Sequence, residues 1–186
     1  MIKKSGLSEK YGLVKGEYSP KTYLYFLPLV IIVSVNFWGG INVHLSLLES
    51  VFYVVSMLCV GLLEEFLFRG FLFKYLSKDN LTVAIVVSSI TFGIGHIINL
   101  LSGADLLLTL LQIIYATCAG FLFTVIFYKS GSLLPCIITH SLINATSVIA
   151  FESNITLSII TAVVLSVVSL VYALWIIKSD KKLLQK

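Results

Sequence analysis

Charge is the scarce ingredient of this chain. Only 12% of its 186 residues are charged, about half the ~25% of an average soluble protein. That shortage, with 58% hydrophobic residues and a mean hydropathy of +1.01, excludes an ordinary water-soluble domain. Cysteine is scarce too. Cys59, Cys118 and Cys136 show no CxxC spacing and fall within apolar stretches, which speaks against a disulfide framework and reads as small buried hydrophobes. No HExxH segment is present, so the helical zinc-peptidase signature is missing. No inverted repeat relates the two halves, which disfavours common transporter architectures. The net charge of +4 comes from lysines at the ends of apolar runs, so it carries no nucleic-acid footprint.

What is abundant is long apolar sequence. A membrane-crossing helix needs ~20 mostly apolar residues. Six such runs are legible, at about 22–39, 46–73, 81–101, 105–128, 132–151 and 155–177. The expected fold is all-α, a polytopic transmembrane helical bundle of about six spans. It reads as a segment 1–21, a membrane domain 22–177 and a basic tail 178–186. The first twenty residues are polar, so the first apolar run reads as a retained helix rather than a cleaved signal.

The lysines orient the spans. Lys3, Lys4, Lys10, Lys15 and Lys21 precede the first, and Lys74 and Lys78 lie between the second and third. Lys129 lies between the fourth and fifth, and Lys178, Lys181, Lys182 and Lys186 follow the sixth. With six spans these all fall on one side, and the opposite loops hold no Lys or Arg. The positive-inside rule then predicts a multi-pass protein of the cell membrane with both termini cytoplasmic. Tyr23, Tyr25, Phe37, Trp38 and Trp175 sit at span ends, as interfacial aromatics do. His44, in an outer loop, reads as an interface residue.

Against this background a few polar side chains stand out. The second span carries Gly61-Leu-Leu-Glu-Glu-Phe-Leu-Phe-Arg-Gly70. One charged side chain at mid-bilayer costs at least ~2.5–3.5 kcal/mol, so three need a reason. Glu65 and Arg69 are spaced i, i+4 and share a helical stripe, which predicts a buried ion pair. Glu64 points about 100° away and is left as the free carboxylate, a candidate general base for water activation. The plainer alternative is that both acids merely pair with Arg69 and tie helices together.

The third span holds Phe92 and His96, again four apart, with Gly93 and Gly95 permitting close approach. The fifth holds His140 and Asn144 at the same spacing. Two convergent donors are the ingredients of an oxyanion site. An interhelical polar clamp explains each pair equally well. Ser141 cannot share the face of His140, and Cys136 has no clear base, so a serine or cysteine nucleophile is disfavoured. Counting ~1.5 Å per residue from the cytoplasmic ends puts Glu64 ~15 Å deep, His140 ~12 Å and His96 ~22 Å. The polar groups can therefore meet in the middle or inner half of the bilayer, which predicts access from the inner leaflet.

The three segments resemble the motifs of the CAAX-protease and bacteriocin-processing family, also called the CPBP or Abi family. EExxxR is matched by Glu64, Glu65 and Arg69, FxxxH by Phe92 and His96, and HxxxN by His140 and Asn144. The resemblance implies an intramembrane endopeptidase acting on a membrane-embedded or lipidated protein or peptide, in bacteriocin processing or self-immunity. It implies that Glu64 activates water with His96, that His140 and Asn144 hold the oxyanion, and that Glu65, Arg69 and Phe92 support them. The family has been described both as metalloprotease and as glutamate-type. A metal-free site is expected here; were zinc bound, Glu64, His96 and His140 would be its ligands. The competing readings are a non-catalytic immunity or scaffold protein, and a proton-coupled transporter, since buried acids and histidines also build proton relays.

Overall fold

The computed structural model describes residues 6, 11–13, 26–151 and 154–179. Most of the segment 1–21, most of the tail 178–186, and Tyr23 and Tyr25 lie outside the described residues. So do all the lysines except Lys74, Lys78, Lys129 and Lys178. What is described is all-α. Six helices follow one another: α1 Leu27–Ser34, α2 Leu47–Glu65, α3 Leu81–Gly95, α4 Leu106–Ser130, α5 Leu134–Thr146 and α6 Ile155–Ser179. The chain is a helical membrane protein.

Four of the six expected spans are long and apolar enough to cross a membrane: Leu47–Leu76, Leu81–Ser102, Leu106–Ser130 and Ile155–Ser179. The other two are shorter than expected. Helix α1 with its 3₁₀ extension covers Leu27–Phe37, against the expected 22–39, of which 22–25 are not described. Helix α5 with its extension covers Leu134–Ile149, about 24 Å, less than the ~30 Å hydrocarbon core. It starts at Leu134 with Pro135 in its first turn, where a residue without an N–H is accommodated.

Local sequence sets the ends. Ser46 and Glu49 form a capping box at the start of α2, which gives that acid a structural task. Asn80 and Asp105 cap the backbone at Val83 and Leu108. Gly131 takes a left-handed φ of 67° after α4, the conformation that glycine tolerates best. After Glu65, helix α2 widens into a π-helix, Phe66–Phe73, before a last α-helical stretch, Lys74–Leu76. Such wide turns concentrate at functional places in helices.

Packing is uneven along the bundle. Towards its lysine-bearing end, α4 is buried on every side from Leu122 to Phe127, wrapped by Phe73, Leu133, Cys136, Leu165, Ala173 and Ile176. The segment Tyr11–Leu13 lies over this end. Tyr11 packs on Phe66 and Phe71 with ring centroids 5.0 and 4.8 Å away, and the carbonyl of Gly12 accepts from Leu133 N at 2.8 Å. At the other end two loops meet: Asn42 N donates to the Ile149 carbonyl at 2.9 Å, beside an Ile41–Ala150 bridge. The outer face of α2, with Val51, Phe52, Val55, Leu58 and Leu62, is exposed and apolar, as a lipid-facing surface must be.

Candidate active site

Two close helix approaches bring the motifs together. A Cβ at Gly61 would stand 2.6 Å from Ser141 Oγ and 2.7 Å from the Ser141 backbone, so only glycine lets α2 lie this near α5. Ser141 Oγ donates to the Leu58 carbonyl across the same contact. One turn beyond Gly61 comes Glu65, and next to Ser141 comes His140. On α3, a Cβ at Gly93 would sit 2.8 Å from the Ile113 carbonyl of α4. Gly95 is different: its added Cβ would meet nothing nearer than Phe68 at 3.9 Å, so the expected close approach is made by Gly93 alone.

Glu65 and Arg69 are fully buried and paired, Nη1 to Oε1 at 2.8 Å. The wider π turn keeps residues four apart stacked, so the spacing still works. Arg69 also donates from Nη2 to the Gly120 carbonyl at 3.1 Å, and its guanidinium lies 4.2 Å from the Phe92 ring centroid. The sequence reading did not anticipate the third partner of this group. His140 Nδ1 lies 2.9 Å from the same Oε1 of Glu65. A carboxylate paired with arginine is ionised and can only accept, so Nδ1 carries the proton. The other imidazole nitrogen, Nε2, turns towards Glu64 Oε2 at 3.6 Å, within ion-pair range but beyond a direct hydrogen bond.

The two adjacent glutamates therefore differ sharply. The Glu64 side chain is 35% exposed and that of Glu65 is 0% exposed. Glu64 faces a cavity of about 800 Å³, whose wall also holds Phe92, His96, His140 and Asn144. His96 Nδ1 lies 3.1 Å from the Phe92 carbonyl. A carbonyl only accepts, so Nδ1 is the donor and Nε2 is the nitrogen left for chemistry. Phe92 spaces the two histidines: its ring stands edge-on to His96 at 5.4 Å and to His140 at 5.3 Å. Asn144, one turn from His140, lines the same cavity. All seven motif residues thus fall within one connected group.

Among the described residues, no three His, Cys, Asp or Glu side chains form a set that could hold a metal ion. His140 and His96 each hold Nδ1 on an oxygen and leave Nε2 free, which by itself suits a ligand as well as a base. It is the lack of a converging third group that speaks against a metal. Glu64, His96 and His140 share a cavity wall without closing round one point.

Several contributors escaped the sequence reading. Gly61 and Gly120 set helix spacing, and the Ala116-xxx-Gly120 pair is the small-residue signal that would have flagged the second. Tyr53 and Ser147 join hydroxyls at 2.7 Å, and Asn99 donates to Gln112 at 2.9 Å. Both pairs line the same cavity. Single-sequence spacing has no means of pairing residues so far apart in the chain.

Acid and imidazole groups and an asparagine gathered on the wall of one cavity inside a helical membrane bundle are the parts of a hydrolytic centre. Residues 45–146 match the family described as Type II CAAX prenyl endopeptidase Rce1-like, a stretch of more than half the chain that carries every motif residue named above. The protein belongs to this family of CAAX-type membrane proteases, as the motif resemblance implied. Neither a curated protein nor a solved structure matches the chain.

Proposed function

We propose that this protein is an intramembrane endopeptidase in which Glu64 and His96 activate a water molecule. The observation that carries the reading is the contrast between the two glutamates. One is sealed against Arg69 and His140, and the other is open to a cavity shared with His96, His140 and Asn144.

The chemistry follows from these positions. Glu64 takes a proton from water, helped by the lone pair of His96 Nε2. The hydroxide attacks the peptide carbonyl carbon, and the carbonyl oxygen becomes an oxyanion. Asn144 donates to that oxyanion from its amide. His140 joins it when the imidazole carries both protons, and the carboxylates on either side supply the counter-charge for that form. Each such donor contributes about 2.7–4 kcal/mol to lowering the barrier. The carbon–nitrogen bond then breaks, and protonated Glu64 returns the proton to the leaving amine. Glu65 and Arg69 act by orienting His140.

No step here passes through a metal, since the donor set does not close round one. The substrate is a membrane-embedded or lipidated protein or peptide, with bacteriocin processing or self-immunity as its setting. The lysine pattern supports a cell-membrane location with both termini cytoplasmic. The test is cleavage of prenylated and membrane-anchored reporter peptides by purified protein and by Glu64→Gln in parallel. Product formed by the wild type and lost in the variant supports the reading. Equal cleavage by both overturns the role of Glu64, and no cleavage by either leaves a binding or transport role.

A further inference from the structure

We infer that water and substrate reach Glu64 from the face opposite the lysine-bearing helix ends. This deepens the peptidase reading and reverses the inner-leaflet access that depth counting suggested. It rests on where the cavity wall ends.

The wall runs in stripes. On α2 it follows Met57, Val60 and Glu64, one helical face in steps of three and four. Matching stripes descend α4 and α5, and the deep end is closed by Phe123 and Leu165. In the other direction the wall continues to Gly39, Ala104, Asp105 and Phe151, all of them exposed. These four belong to the α1–α2, α3–α4 and α5–α6 connections. Among the described residues, all three connections at that end of the bundle contribute, and neither of the lysine-side connections, α2–α3 and α4–α5, does.

The lysine side is closed by independent features. The solid block from Leu122 to Phe127 fills the bundle there, and Tyr11–Leu13 covers its end through the contacts to Phe66, Phe71 and Leu133. The polar pairs Tyr53–Ser147 and Asn99–Gln112 all lie between Glu64 and the loop end of the cavity. On the lysine side the polar residues Arg69, Ser88, Thr124 and Ser132 are fully buried and line no cavity, whereas these pairs line open space, which marks theirs as the wet half. By the positive-inside rule that half faces away from the cytoplasm.

The test reads accessibility rather than proteolysis, so an inactive chain does not disturb it. Met57→Cys places a thiol on the cavity stripe two turns from Glu64. Thr161→Cys, on the α6 wall, replaces it where the first fails to fold. Ser77→Cys, in the connection that carries Lys78, marks the lysine side. Each is treated with a small cationic methanethiosulfonate in intact cells and in inside-out vesicles, with labelling of the unsubstituted chain subtracted. Met57→Cys should react at least ten times faster from the side at which Ser77→Cys is protected. Reaction of both from the same side overturns the inference, and so does a cavity thiol that reacts from neither. Failure of the peptidase reading would show instead as no cleavage by the wild type, or cleavage unchanged in Glu64→Gln, with the labelling pattern intact.

Discussion

Oε1 of Glu65 holds Nδ1 of His140 at 2.9 Å, across 75 residues of sequence. That one oxygen also takes Arg69 at 2.8 Å, so a single buried carboxylate fixes the tautomer of a histidine and neutralises a guanidinium. Charged neighbours that orient an imidazole decide which nitrogen is left for chemistry.

Removing the carboxylate should do more than break an ion pair. Glu65→Ala leaves Arg69 without a counter-charge and His140 Nδ1 without its acceptor in the interior, and breaking a buried pair costs about 3–5 kcal/mol. The expected outcome is a large fall in thermal unfolding temperature in detergent. Glu65→Leu combined with Arg69→Met removes both charges, so stability should recover most of that loss while cleavage stays abolished. Recovered activity in the double variant would refute the orienting role of Glu65.

Gly61 and Gly95 make a matched pair. Gly61→Ala drives a methyl into the Ser141 backbone, which cannot yield without separating α2 from α5. Overpacking of this kind costs about 1–3 kcal/mol and would shift Glu65 away from His140. Gly95→Ala meets only Phe68 at ordinary contact distance and should be tolerated. Unfolding midpoints and cleavage rates of the two variants check both statements.

His96 should separate activity from stability. Its Nδ1 bonds only to a carbonyl one turn back in its own chain. His96→Ala should lower the cleavage rate at least ~10²-fold, as loss of a proton-transfer group does, and leave the unfolding midpoint nearly unchanged. A comparable loss of both would make His96 a structural residue.

Metal analysis gives the fourth expectation. Active, purified protein should carry substoichiometric zinc and keep its rate after treatment with a chelator. One zinc per chain, with activity lost on chelation and restored by the metal, would mean that Glu64, His96 and His140 converge in the working enzyme.

The sequence disclosed the membrane helices and the motif residues because charges in apolar runs are conspicuous. It disclosed the Glu65–Arg69 pair because that contact lies within one helix turn. The link from Glu65 to His140 was hidden, since it depends on how closely Gly61 lets α5 approach. The early end of α1 and the late start of α5 were hidden as well, because hydropathy measures apolar length and not where a helix begins. The direction of the cavity was hidden for a similar reason: depth along each helix says nothing about which end of the bundle is filled.

The block from Leu122 to Phe127 sits at one end and the loop-rimmed cavity at the other. Retuning and wrecking are therefore spatially separate. Substitutions at Gly39, Ala104 or Phe151 touch the rim and none of the hydrogen bonds that position Glu65 and His140. Loops on a rigid scaffold accept change far more readily than the scaffold does. A library randomised at those rim positions should yield mostly folded proteins whose preferences among peptides differ. The same effort spent on the packed end should yield mostly unfolded ones.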